Sequence, residues 1–160
     1  GGPAAPHVFK IAAGHAGELW GLNRKTDKPM VYSFARKEWI EIAGAATPQA
    51  RSIDVACDGS AWIVSLTDGR PYRYSHESGS WHRASRSRAL EVAAGLRSGY
   101  IISPRHRLYR WEREKLTGRW VALGRDHVYD VSAGGDGAVY AVDVFDRVIM
   151  INRGEPQPQR

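Results

Sequence analysis

The feature that most constrains this chain is a recurrence. Trp20, Trp62, Tyr100 and Tyr140 follow one another at separations of 42, 38 and 40 residues. Val31-Tyr32-Ser33-Phe34 resembles Pro71-Tyr72-Arg73-Tyr74, then Leu108-Tyr109-Arg110-Trp111, then Val148-Ile149-Met150-Ile151, with second positions 40, 37 and 40 residues apart. Trp39, Trp81 and Trp120 are separated by 42 and 39 residues. Three independent landmarks on one period mean that the chain is built from four versions of a single unit.

The unit is plainest between Arg51 and Ala84. Asp58-Gly59, Asp68-Gly69 and Ser78-Gly79 punctuate short segments rich in β-branched and aromatic residues. Asp-Gly favours two-residue hairpins, because the primed turns need positive φ, which Gly adopts freely and Asp tolerates. The stretch predicts an antiparallel meander of four strands: a (Ile53–Ala56), b (Ala61–Leu66), c (Pro71–Tyr74) and d (Trp81–Ala84). The a–b hairpin Ile53 to Trp62 aligns without gaps with Ile11 to Trp20 and with Val131 to Tyr140, and with a one-residue slip with Val92 to Tyr100. The approach repeats too, His7-Val8-Phe9 resembling His127-Val128-Tyr129 at a distance of 120 residues.

A repeated β-meander of about 40 residues predicts an all-β protein, a β-propeller of four blades. Small residues crowd strand a (Ala12, Ala13, Gly14; Ala93, Ala94, Gly95; Ser132, Ala133, Gly134), as expected where the innermost strands converge. Aromatics lie further out on b, c and d, where wider blades need volume between them. A β-sandwich also uses short strands, but it does not require self-similarity at a fixed period. The nearest thing to helical periodicity, residues 111–116, is too short to stand alone.

Strands a, b and c occur four times, d only three times. After Ile151 the chain runs Asn152-Arg153-Gly154-Glu155-Pro156 without a Trp. The last blade is therefore expected to lack its outer strand, leaving the apolar run Val148–Ile151 as an edge. Such an edge is a pairing hazard. The expectation is that a second copy of the chain, or a longer parent chain, covers it and completes the blade. Residues 1–6 read as a linker or tag remnant, 7–152 as the propeller, and 153–160 as a polar tail.

In 160 residues, 42% hydrophobic and 25% charged, there is material for one globular domain with a real core. No apolar run approaches the roughly 20 residues of a membrane helix, and no signal-peptide pattern opens the sequence. The compartment is left open. Cys57 is the single cysteine, so no intramolecular disulfide and no Cys-based zinc site is available, and it reads as a small filler. Net charge is +6 and uneven: nine Arg and Lys115 against three Glu make residues 83–119 alone +7. That field favours anionic partners such as acidic glycan, lipopolysaccharide or an acidic protein face, and serves solubility as well. Nothing singles out nucleic acid.

The ordered motifs, carried by Ala133-Gly134-Gly135-Asp136-Gly137-Ala138-Val139-Tyr140, Ala13-Gly14-His15-Ala16-Gly17-Glu18-Leu19-Trp20, Pro71-Tyr72-Arg73-Tyr74 and Leu108-Tyr109-Arg110-Trp111, resemble the tectonin (TECPR) repeat. The resemblance spans about residues 7 to 152. It implies a β-propeller, and either a lectin that binds glycan or lipopolysaccharide or a protein-interaction module within a larger chain.

Enzyme constellations are not found. The six histidines show no i,i+4 pair and no HExxH, and no Gly-x-Ser-x-Gly elbow occurs. Gly134-Gly135-Asp136-Gly137 joins two strands rather than opening a helix, so it is no phosphate loop, and one carboxylate falls far short of a calcium site. The expectation is a non-enzymatic binding module without cofactor, metal or catalytic residues. Its candidate ligand residues are Arg73, Arg105, Arg107, Arg110, Trp81 and Trp120. Arginine flanked by aromatics suits an anionic or hydroxylated ligand and equally suits inter-blade packing. Two readings stand side by side: a lectin-like module using loops between blades, and a protein–protein scaffold using one propeller face, as in an effector or trafficking protein.

Overall fold

The computed structural model describes residues 7–14, 17–42, 47–96, 98–114 and 117–153. The linker and most of the polar tail expected at the two ends lie outside them. Every regular element among these residues is a strand: β1 (Val8–Ala13), β2 (Leu19–Asn23), β3 (Pro29–Ser33), β4 (Glu38–Glu41), β5 (Ala50–Val55), β6 (Ala61–Ser65), β7 (Pro71–Ser75), β8 (Ser80–Arg83), β9 (Glu91–Ala94), β10 (Gly99–Ile102), β11 (Leu108–Glu114), β12 (Thr117–Ala122), β13 (Val128–Ala133), β14 (Ala138–Asp143) and β15 (Val148–Arg153). They form four antiparallel sheets, three of four strands in meander order and a last one, β13-β14-β15, of three. This is a four-blade β-propeller arrangement.

Register shows how closely the blades repeat. Trp20 lies opposite Val31, Trp62 opposite Arg73, Tyr100 opposite Arg110 and Tyr140 opposite Met150. Tyr32 faces Trp39, Tyr74 faces Trp81 and Trp111 faces Trp120. The first blade thus aligns as Pro29-Met30-Val31-Tyr32 on Pro71-Tyr72-Arg73-Tyr74, two residues from the match suggested by composition. A shift of two leaves every side chain on its own face, so the landmarks kept their meaning.

The hairpins differ from the primed two-residue form. Val55 pairs with Ala61, leaving five residues in the turn, and the Gly59 N–H donates to the Ala56 carbonyl at 2.9 Å. Gly59 alone carries positive φ there (77°), while Asp58 accepts the Ser60 N–H at 2.9 Å in an Asx turn. The b–c turn repeats one left-handed position four times, as Asp27, Gly69, His106 and Asp146, with φ between 56° and 69°.

Consecutive blades share a recurring link. An amide at or just before the start of an inner strand donates to the carbonyl of that left-handed residue in the blade before: Ala50 to Asp27 at 2.7 Å, Ala89 to Gly69 at 2.8 Å and Val128 to His106 at 2.9 Å. Inner strands pack β1 on β5, β5 on β9 and β9 on β13, and among the described residues no comparable packing joins β13 back to β1. Equivalent positions Lys10, Ser52, Glu91 and Asp130 stand at the convergence. Lys10 Nζ reaches Glu91 Oε1 at 2.9 Å, and the Ser52 hydroxyl bonds the same carboxylate. The Cys57 thiol lies 3.4 Å from the Gly135 carbonyl, where two a–b turns approach each other.

The core lies between blades. Trp20 is buried edge-on against Tyr74 and Trp81 of the second blade. Trp62, 3% exposed, stands the same way to Trp111 and Trp120 of the third. Gly99 is small because its Cβ would lie 3.2 Å from three atoms of the Trp62 ring. At the third interface Tyr100 packs with Val131, Val139 and Ile151, and no outer-strand Trp backs it. Such inter-blade aromatic packing is what a sheet that is apolar on both faces requires.

Candidate functional site

A cleft of about 520 Å³ opens between the second and third blades. The linker from β8 to β9 contributes Ser85, Ser87 and Arg88, and the β10–β11 turn contributes Ser103, Pro104, Arg105 and Arg107. Tyr109 and Trp120 form its aromatic wall, with Ile101 at the base. Trp120 is half-buried: one edge meets Trp62, its Nε1–H points to the Ala84 carbonyl at 3.3 Å, and the rest of the ring faces the cleft.

The turn chemistry explains why the cleft is basic. In the second blade the position before the left-handed residue is Asp68, which accepts from the Tyr72 hydroxyl at 3.0 Å and pairs with Arg70 at 3.4 Å. Burial works to raise the Asp68 carboxyl, but the Arg70 amide, Ser65, Tyr72 and the Arg70 guanidinium together hold it below the ordinary value. In the third blade the same position is Arg105. A cation stands where a carboxylate would otherwise tie down the tyrosine. Arg107 pairs with Asp126 at 3.1 Å, whereas Arg88 and Arg105 have no carboxylate partner among the described residues.

The sequence-derived candidates therefore divide. Arg105, Arg107 and Trp120 come together in the cleft. Trp81 packs against Trp20 and Tyr74 between the first two blades. Arg110 is engaged by Glu112 at 2.5 Å. Arg73 stacks 5.6 Å over the Trp62 ring and pairs with Asp58 at 2.9 Å. For Asp58, burial works upward, and Ser60 and Arg73 outweigh it, so its carboxyl lies below the ordinary value. Arg73 borders a second, more polar hollow of about 430 Å³ on the opposite rim, with Asp58, Ser60, His76 and His82. The sequence reasoning missed Arg88, Tyr109 and the three serines. Tyr109 carried a signal as the counterpart of Tyr72, but Ser85 and Ser87 lie in a linker with no repeating pattern, and Ser103 opens the β10–β11 turn. Among the described residues, no group of three or more His, Cys, Asp or Glu side chains is placed to hold a metal, and no helix is long and apolar enough to cross a membrane.

No family model matches the chain, and no curated protein does. Solved structures match it at the level of fold. Virginiamycin B lyase from Staphylococcus aureus is 13% identical, with a TM-score of 0.59 over 86% of this chain and 49% of its own. TolB from Acinetobacter baumannii is 12% identical, with a TM-score of 0.63 over 91% and 43%. Prp20p from Saccharomyces cerevisiae is 11% identical, with a TM-score of 0.65 over 89% and 44%. The chain thus spans about half the length of these structures. One expectation is corrected by them: a lyase shares this fold, so the lack of a recognisable catalytic motif does not mark the chain as non-enzymatic.

Proposed function

We propose that the chain is a ligand-binding propeller unit of the tectonin-like kind, and that the cleft between the second and third blades takes an anionic, hydroxyl-rich ligand. A glycan bearing phosphate or carboxylate, as in lipopolysaccharide, has that chemistry. The observation that carries the reading is the pairing of two unneutralised guanidiniums, Arg88 and Arg105, with the ring wall of Trp120 and Tyr109 in one cleft. An aromatic face accepts the apolar side of a sugar ring, serine hydroxyls suit its hydroxyls, and guanidinium forks suit phosphate or carboxylate.

The test is a glycan array with the purified chain, repeated with the double variant Arg88→Glu, Arg105→Glu and at raised salt. Loss of binding to acidic glycans in both arms is expected. Binding that ignores both would defeat the proposal.

An acidic protein face is the second reading, since it would satisfy the same arginines. Prp20p, of the same fold, is described by its binding properties to Gsp1p and histones. Competition by a small uncharged sugar separates the two, because only a ligand seated on the aromatic wall is displaced by it.

A further inference from the structure

The two terminal blades carry nearly all the exposed large apolar side chains of the described structure. Phe9, Ile11 (59% exposed) and Phe34 (64%) belong to the first blade; Tyr129, Tyr140 (46%), Val148 (71%) and Met150 belong to the fourth. The second and third blades together expose only Leu66 in this way. Faces of the same kind are buried wherever one blade meets the next.

The free faces are the two halves of the interface the chain already repeats. At each junction an aromatic ring from the middle of strand b stands edge-on to a c–d aromatic pair in the following blade. Trp20 does so to Tyr74 and Trp81, and Trp62 to Trp111 and Trp120. In the fourth blade the strand-b ring is Tyr140, on the face turned away from the third blade. In the first blade the pair is Tyr32 and Trp39, already set at 5.4 Å and 65°, much as Tyr74 and Trp81 are set at 5.2 Å and 58°. Among the described residues no ring enters it from another blade, and Phe34 of the same blade leans on Tyr32. The backbone link agrees. Asp146 holds the left-handed position of the fourth blade, and Val8 is the counterpart of Ala50, Ala89 and Val128, so the carbonyl and amide that lack this link among the described residues lie in the last and first blades. Charge agrees as well, since the next axial neighbour of Asp130 would be Lys10 of another copy.

We propose that two copies of this chain associate head to tail, the fourth blade of each packing on the first blade of the other, to close an eight-blade ring. The chain spans 49% and 43% of two single-chain structures of this fold, so two copies supply about one such length. A heterologous contact closes only when its rotation completes a circle, and in the proposed ring the four blades of each copy supply half of that rotation. The occupant is a second copy because the chain itself holds both complementary faces, each with the geometry of its internal junctions.

The test is sedimentation of the chain over a wide concentration range, alone and as Tyr140→Arg or Trp39→Arg. The expected result is a species of twice the monomer mass with no ladder beyond it, and at least tenfold weaker association for either variant. Mixing the two variants should restore association, because one junction then has both faces intact. Phe34→Arg serves in place of Trp39→Arg should the latter not fold, since Phe34 is exposed. A monomer at every concentration overturns the proposal and points to blades supplied by other sequence. A dimer indifferent to Tyr140→Arg, or a mixture that stays monomeric, overturns it equally.

Discussion

Trp62 of the second blade meets Trp120 of the third edge-on, with ring centroids 6.0 Å apart at 76°. Trp20 and Trp81, one blade earlier, meet at 6.1 Å and 80°. The agreement of two junctions separated by a whole blade shows that the inter-blade aromatic contact, rather than the strand pairing alone, is the repeated structural element.

That contact has a measurable cost of removal. Trp62→Ala empties a well-packed site between two blades and should destabilise the chain by about 3–5 kcal/mol, as for large aromatics in cores. Urea unfolding of the two proteins measures it; coincident melts would show that the ring is not a core element.

The c–d turns offer a reciprocal exchange. Lys37 and Gly79 occupy equivalent positions with φ of 55° and 60°. The left-handed region disfavours residues with a Cβ, while Gly loses more entropy on folding. Lys37→Gly should therefore change stability by under about 1 kcal/mol and in the stabilising direction, whereas Gly79→Lys should cost on the order of 1 kcal/mol. Thermal melts of both variants read the signs, and matching signs would contradict the turn assignment.

Asp54 supplies a pH-dependent term. Burial pushes its carboxyl above the ordinary value, against hydrogen bonds from the Ala94 and Val55 amides and the charge of Lys10. A raised folded value means stability present below the unfolded pKa and lost as pH rises through the folded one. The stability of the wild type relative to Asp54→Asn should accordingly fall between about pH 4 and neutrality. Urea melts at both ends of that range decide it; a gap independent of pH would show the carboxyl is not shifted.

Asp126 restrains one arginine of the cleft through its 3.1 Å contact with Arg107. Exposed pairs of this kind are worth about 0–1 kcal/mol. Asp126→Asn should thus tighten binding of an acidic glycan probe by up to about fivefold at low salt, the equivalent of that energy. Calorimetric titration of the variant checks it, and weakened binding would place Asp126 itself in the ligand contact.

Some of the cleft was legible before folding. Arg105 and Arg107 stood out as a basic pair in a turn, and Trp120 as a repeated landmark. Arg88, Ser85 and Ser87 did not, because they come from a linker whose position follows from how the third blade packs on the second. Arg73 and Arg110 looked alike in sequence, yet Asp58 and Glu112 neutralise them, and the Asp58 partner lies 15 residues from Arg73 along the chain.

The period of the aromatic landmarks was enough to determine four antiparallel meanders, the face on which each side chain lies, and the three strands that the last blade has among the described residues. These follow from local rules: alternation along a strand, and turn residues between strands. Which inner strands pack on one another, and the division of the arginines into paired and unpaired, were decided by tertiary structure. They depend on which blade faces come to touch, and residues 40 and 80 positions apart meet only when the sheets have packed.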